Sequence, residues 1–301
     1  MNQKPEFLKQ GSKIAIISPS GSINNDFIFS AKKYLDSMGF DAVVYPNALN
    51  KYFQFGGTDD ERLEDLQNSL DDPSVSAIFC SRGGYGLIRI IDKLDFTEFI
   101  RHPKWIIGFS DITNLHLALN RIGVMSVHGQ MAKAIHDNKK SDSVENLVEL
   151  LVGKFPVYKC EPNSLNKKGN AEAELIGGNL SIIYSLQGTD FELDSDGKIL
   201  FMEDLNEYLY HLDRIMINLK LSGKLKNLKG LIAGAFTDMK DNNNPFGKDA
   251  YEIIKEHISE YDYPVCFGFP SGHIQENMPL VMGMRYNLVV NDENTVIFPS
   301  V

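Results

Sequence analysis

The sequence predicts an α/β protein whose first half is a parallel sheet covered by helices on both faces. Short apolar strands alternate there with helix-period segments, and each strand gives way to a turn containing Gly, Pro or Ser. After residue 136 the alternation fades into a polar, turn-rich stretch, which marks a second domain of different character.

The elements follow in order. Residues 13–18 (KIAIIS) form a buried strand broken by Pro19 and Gly21. The next helix places Phe29, Tyr34, Leu35 and Met38 at helical spacing, and Gly39 closes it as a C-cap. Residues 41–45 (DAVVY) form a second strand. A polar helix over 59–70 ends at the Asp-Asp-Pro turn of 71–73, and 75–80 (VSAIFC) form a third strand. Arg82-Gly83-Gly84-Tyr85-Gly86 follows at once, and then another helix. Residues 105–108 form a fourth strand that runs into Phe109-Ser110-Asp111 and a further helix. In such sheets ligands bind beyond the carboxyl ends of the strands, which selects the loops after Ser18, Cys80 and Gly108.

The domain organisation is read as 1–155 for the first domain, a linker over 156–174, and 175–301 for the second. That second domain contains the apolar run 199–202, an amphipathic helix over 207–221, an apolar segment over 231–236, and short strands and loops over its final fifty residues.

Composition narrows the function. The 301 residues carry a formal net charge of −10, with 43% hydrophobic and 23% charged residues. That is the balance of a soluble globular protein, and it gives no support to a nucleic-acid partner, which needs a basic surface to displace counterions. No run reaches the roughly 20 apolar residues that cross a bilayer. The N-terminal MNQKPEFLKQGSK has no apolar core of signal-peptide kind, so no membrane association and a cytoplasmic location are expected. Cys80, Cys160 and Cys266 are odd in number and widely spaced, which fits neither a disulfide framework nor a zinc site. No His pair has metal-ligand spacing beside an acid, so no metal is expected. The loop at 82–86 lacks the G-x-G-x-x-G spacing of a dinucleotide site, and no organic cofactor is expected.

Four segments carry candidate chemistry. Ser110 stands at a strand-to-helix turn, where its hydroxyl is lifted from the sheet and the Asp111 N–H faces a developing oxyanion. Thr113 stands where an α/β-hydrolase elbow has its second glycine, and a helix N-cap is an equal reading of this serine. Arg82 to Gly86 offers a second oxyanion donor, with Arg82 available to a substrate carboxylate. Its plain alternative is a tight turn. Glu203, directly after the apolar run 199–202, is placed to orient an imidazole, with Glu207 as its competitor. His273, in the loop Pro270-Ser271-Gly272-His273, suits a general base.

These pieces, in order, resemble the serine LD-carboxypeptidase family, which also contains the microcin-C-resistance hydrolases. The resemblance runs from Ile14 to Val290. It rests on 15–21, 55–62 (FGGTDDER), 82–86, 108–113, 128–131 (HGQM), 176–180 (IGGNL), 200–204, Asp213-Arg214 and Gly272-His273. It implies a flavodoxin-like first domain, a smaller β-rich second domain and a homodimer. It also implies a Ser-His-Glu triad of Ser110, His273 and Glu203, with oxyanion donors at the N–H groups of Asp111 and of a glycine in the Gly83-Gly84 turn, assigned to Gly84. Arg82, Gly83 and Tyr85 are the expected substrate-binding residues. The expected reaction releases the terminal D-alanine from murein tetrapeptides during cytoplasmic cell-wall recycling. The competing readings are a peptidyl- or aminoacyl-nucleotide hydrolase, for which Tyr208 and Tyr210 supply the stacking surface, an α/β-hydrolase esterase, and a non-catalytic murein-peptide-binding protein.

Overall fold

The computed structural model describes residues 2–300, and the chain divides into two compact units. The first comprises Met1–Lys154 with Met278–Val281, and the second Phe155–Asn277 with Met282–Val301.

The first unit is built from β1 (Lys13–Ile17), α1 (Asn25–Ser37), β2 (Asp41–Val44), α2 (Asp59–Asp71), β3 (Val75–Cys80), α3 (Thr97–Arg101), β4 (Trp105–Gly108), α4 (Thr113–Arg121), β5 (Ser126–His128), α5 (Ala132–Asn138) and α6 (Asp142–Leu151). Its sheet has the order β2-β1-β3-β4-β5, closed at one edge by a late strand, β11 (Leu280–Met282). The β1–β2, β1–β3, β3–β4 and β4–β5 pairs are all parallel. This is the flavodoxin order, whose switch point lies between β1 and β3, so the crevice beyond their carboxyl ends is where a ligand belongs. Ile14, Ile16, Ile78, Phe79, Ile106 and Ile107 are fully or almost fully buried in this sheet, as expected of strands covered on both faces. α2 starts from a reciprocal capping box between Thr58 and Glu61, which satisfies two of its orphan N–H groups.

One expected helix is replaced. After Gly86 the chain makes two 3₁₀ turns, Leu87–Arg89 and Ile91–Lys93, separated by Ile90 at φ −127°. The consecutive β-branched residues Ile90 and Ile91 disfavour a continuous helix here, and the short turns still bury Leu87, Ile90 and Ile91.

The second unit contains β6 (Tyr158–Cys160), β7 (Gly169–Asn179), α7 (Leu180–Ser185), β8 (Ile199–Leu205), α8 (Leu209–Leu221), β9 (Gly230–Thr237), α9 (Ala250–Ile258), β10 (Val265–Phe267), β12 (Arg285–Val290) and β13 (Thr295–Pro299). Its seven-stranded sheet runs β10-β9-β8-β7-β12-β13-β6. β7 to β10 are parallel, whereas β12, β13 and β6 add as an antiparallel meander. The span 156–174, expected as a linker, therefore holds β6 and the first half of β7, with its turn-rich residues as the loop between them. The polar alternation of 169–174 is that of a strand with one solvated face.

Among the described residues no helix is long and apolar enough to cross a membrane. Cys80 and Cys266 are buried free thiols, as expected of core cysteines.

Candidate active site

The serine half is built from backbone. Ser110 heads a 3₁₀ turn at the end of β4 with φ +65°, a left-handed conformation costing a β-carbon-bearing residue roughly 1–2 kcal/mol. Such strain persists only where the surroundings over-determine it. Behind the turn, His116 is fully enclosed on α4. Its Nε2 lies 2.9 Å from the Gly108 carbonyl and its Nδ1 2.8 Å from Ser126 Oγ. A carbonyl only accepts, so Nε2 carries the proton and Nδ1 accepts from the serine hydroxyl. Burial pushes the His116 pKa down to about 4, which keeps the ring neutral.

The glycine loop after β3 closes on this serine. A β-carbon at Gly83 would stand 2.7 Å from Ser110 Cβ and 3.1 Å from Ser110 Oγ, so only glycine allows the approach. The Gly83 carbonyl accepts from the Gly21 N–H at 2.9 Å. In a trans peptide this turns the Gly84 N–H the opposite way, away from β1. Gly84 itself has φ +100°. Asp111, the other expected donor, sits at the start of the 3₁₀ turn, where backbone N–H groups lack intrahelical acceptors. Arg82 is exposed and gives one guanidinium N–H to the Ser22 carbonyl. Tyr85 is exposed and lies beside Phe55, with ring centroids 6.0 Å apart.

The histidine half is built from side chains. Glu203 falls at a register shift in β8, between Met202 paired with Ala233 and Asp204 paired with Phe236. Irregularities of this kind re-aim side chains beside active sites. Glu203 Oε2 lies 2.7 Å from His273 Nδ1, with the carboxylate fully buried and the imidazole 17% exposed. Nδ1–H is thus the donor, and Nε2 is left as the basic nitrogen. Burial opposes charge on His273. The Glu203 carboxylate outweighs it, aided by Asp204, and holds the imidazole pKa above its ordinary value. Gly272 and Gly234 make room for this pair: a β-carbon on Gly272 would come within 2.8 Å of Glu203 Oε2, and one on Gly234 within 2.5 Å of the Ser271 carbonyl. Asn277 Oδ1 fixes the loop by accepting from the Gly272 N–H at 2.8 Å and from Ser271 Oγ at 2.9 Å.

Two residues here were not foreseen as site components. Asn179 Nδ2 donates to Glu203 Oε1 at 3.3 Å and to Asp204 Oδ1 at 3.0 Å. Asp204 also accepts from the N–H and hydroxyl of Ser181, while burial and the neighbouring Glu203 raise its pKa to about 6. The IGGNL segment was the available signal, since its Asn179 lies opposite Glu203 in the β7–β8 register. Glu207, the competing acid, instead binds His211 Nδ1 at 2.5 Å. Asp213 and Arg214 do not form the mutual pair their adjacency suggests. Asp213 binds His257 at 2.7 Å, and Arg214 lies over the Tyr210 ring at 5.3 Å. Consecutive helix residues point apart.

Comparison with known proteins bears on both units. The LD-carboxypeptidase N-terminal domain matches residues 14–129, and the LD-carboxypeptidase C-terminal domain matches residues 172–288. The chain is 31% identical to a probable murein peptide carboxypeptidase of Bacillus subtilis, over 99% of this chain and 95% of that protein. It is 30% identical to a murein tetrapeptide carboxypeptidase of Pseudomonas aeruginosa, covering 88% of this chain and 89% of that one. Among solved structures, a muramoyltetrapeptide carboxypeptidase from Oxalobacter formigenes superposes with a TM-score of 0.87 at 27% identity, covering 96% and 99% of the two chains. The microcin C7 self-immunity protein MccF also gives a TM-score of 0.87, at 21% identity over 98% of each chain, a likeness of fold alone.

Proposed function

Since this chain belongs to the LD-carboxypeptidase family, matching both of its domains, we propose that it releases the terminal D-alanine of murein tetrapeptides by a Ser110-His273-Glu203 mechanism. The enzyme class is serine-type carboxypeptidase. The observation that carries the reading is the 2.7 Å bond between His273 Nδ1 and the buried Glu203 carboxylate, which leaves Nε2 as a base of defined tautomer.

Ser110 Oγ attacks the carbonyl carbon of the bond to D-alanine, and His273 Nε2 takes its proton. The tetrahedral oxyanion accepts from the N–H groups of Asp111 and Gly84. His273 then returns the proton to the departing amine, and water hydrolyses the acyl-serine with the same base. Arg82 holds the terminal carboxylate, and Gly83 and Tyr85 line the site. Glu207, occupied by His211, serves outside the triad. The reaction belongs to cytoplasmic recycling of the wall, carried out by a homodimer.

A second reading, hydrolysis of a peptidyl nucleotide, has one observation in its favour. Tyr208 and Tyr210 are exposed, with ring centroids 5.5 Å apart, a surface on which a base could stack. Mass spectrometry of products from purified murein tetrapeptide, run beside Ser110→Ala, separates the readings. Loss of one D-alanine by the wild type alone is expected. An inert wild type that cleaves a peptidyl nucleotide would overturn the murein assignment.

A further inference from the structure

Asp111 enters the mechanism above through its backbone N–H, yet its side chain is also buried, with only 1% of the residue exposed. Burying a carboxylate is costly unless its oxygens are satisfied. Here Oδ2 accepts from the Leu87 N–H at 2.9 Å, and Oδ1 accepts from Asn114 Nδ2 at 3.1 Å. Burial raises the Asp111 pKa, while these bonds, Ser20 and the Arg62 charge act in the opposite sense.

The bond to Leu87 joins two loops that the chain itself connects only through α3 and β4. One carries Ser110 and the Asp111 N–H, and the other carries the Gly83-Gly84 turn and ends where Leu87 starts its 3₁₀ turn. Arg62, also 1% exposed, completes the tie from α2. Its Nη1 donates to the Pro19 carbonyl at 2.6 Å and the Gly86 carbonyl at 2.9 Å, and its Nη2 meets Asp59 at 2.5 Å. Three loops at the carboxyl ends of β1, β3 and β4 are thus cross-braced by two buried charged groups.

We propose that the Asp111 side chain, supported by Arg62, is a positioning element that sets the spacing between the two oxyanion donors, Asp111 N–H and Gly84 N–H. Oxyanion stabilisation depends steeply on that spacing, because each donor must lie within hydrogen-bond reach of one oxygen. A loosened brace therefore weakens binding of the transition state more than binding of the substrate. The proposal rests on the serine mechanism above.

The test compares Asp111→Ala and Asp111→Asn with the wild type for kcat and KM of D-alanine release, and for the rate at which a fluorophosphonate modifies Ser110. Asp111→Ala should lower kcat and the modification rate roughly 10²-fold with KM within about threefold of wild type. Asp111→Asn keeps an acceptor for the Leu87 N–H. Asn114 Nδ2 keeps its 2.8 Å bond to the Asp111 carbonyl in this variant. This variant should recover most of the loss, ending within about tenfold of wild type. If the alanine variant does not fold, the nearly isosteric asparagine variant carries the test, with an expected three- to tenfold fall in kcat at constant KM. A variant with kcat unchanged, or one whose KM rises as much as kcat falls, overturns the positioning role. Failure of the underlying mechanism looks different: the wild type itself would not be modified at Ser110.

Discussion

Around Ser110 the proposed site takes its geometry mainly from the backbone, whereas around His273 it takes it from side chains. Ser110 takes its place from its own left-handed φ, from the closeness of Gly83, and from carbonyls held by His116 and by the Gly21 N–H. His273 takes its place from a carboxylate that is held in turn by Asn179, on a strand whose register shifts at that residue. Backbone arrangements fail when a β-carbon intrudes. Side-chain arrangements fail when a donor or acceptor is lost, and they carry the pH dependence, because only they titrate.

The sharpest way to break this contrast is Ser110→Ala, which should leave the fold intact and lower kcat/KM roughly 10⁴-fold or more. Undiminished turnover would remove the serine half entirely.

Glu203→Gln, compared with Glu207→Gln, probes the side-chain half. We expect kcat to fall roughly 10³-fold for Glu203→Gln and within about threefold for Glu207→Gln. The pH profile adds a signed test. Only neutral His273 accepts a proton, so the wild-type rate falls on the acidic side, through a pKa held above the ordinary value. Without the Glu203 carboxylate, burial is opposed only by Asp204, and the acidic limb of Glu203→Gln should move to lower pH. A limb that stays in place assigns the titration to another group.

Gly83→Ala probes the backbone half, since its β-carbon would meet Ser110 Cβ at 2.7 Å. The expected loss is roughly 10²-fold in kcat with the shape of the pH profile unchanged. An altered pH profile would blur the division between the two units. Arg82→Ala should raise KM about tenfold with little change in kcat, and unchanged constants would dismiss Arg82 from substrate binding.

A separate effect is expected on stability rather than on turnover. His116 titrates near 4 in the folded protein and near its ordinary 6.5 when unfolded. Between those values the unfolded chain takes up the proton, so stability falls as pH drops from 6.5 towards 4, by about 3 kcal/mol in all. Denaturant melts of His116→Gln should show a flatter decline over that window, and an identical decline would show that His116 protonates freely in the fold.

The same contrast explains what the sequence made legible. Ser110, Gly83 and Gly84 could be picked out because turns and close approaches leave a residue-level signature of Gly, Ser and Pro at strand ends. The parallel sheet was legible from alternating apolar runs. The continuous helix expected after Gly86 was not realised, because helical spacing of apolar residues does not weigh a β-branched pair such as Ile90-Ile91. Residues 158–160 and the start of β7 were hidden by polarity, since a half-solvated strand resembles a loop in composition. Asn179 and Asp204 escaped notice because their role depends on strand register, and the Asp111–Leu87 brace because it joins segments far apart in sequence.

The central proposal is that Ser110 is activated by the Glu203–His273 pair. The most direct measurement is the rate of fluorophosphonate modification, mapped to a residue by peptide mass spectrometry, in wild type and His273→Ala. The account predicts a single adduct on Ser110, formed at least about 10²-fold more slowly without the imidazole. An adduct on another residue, or modification of Ser110 at the same rate in both proteins, would contradict it.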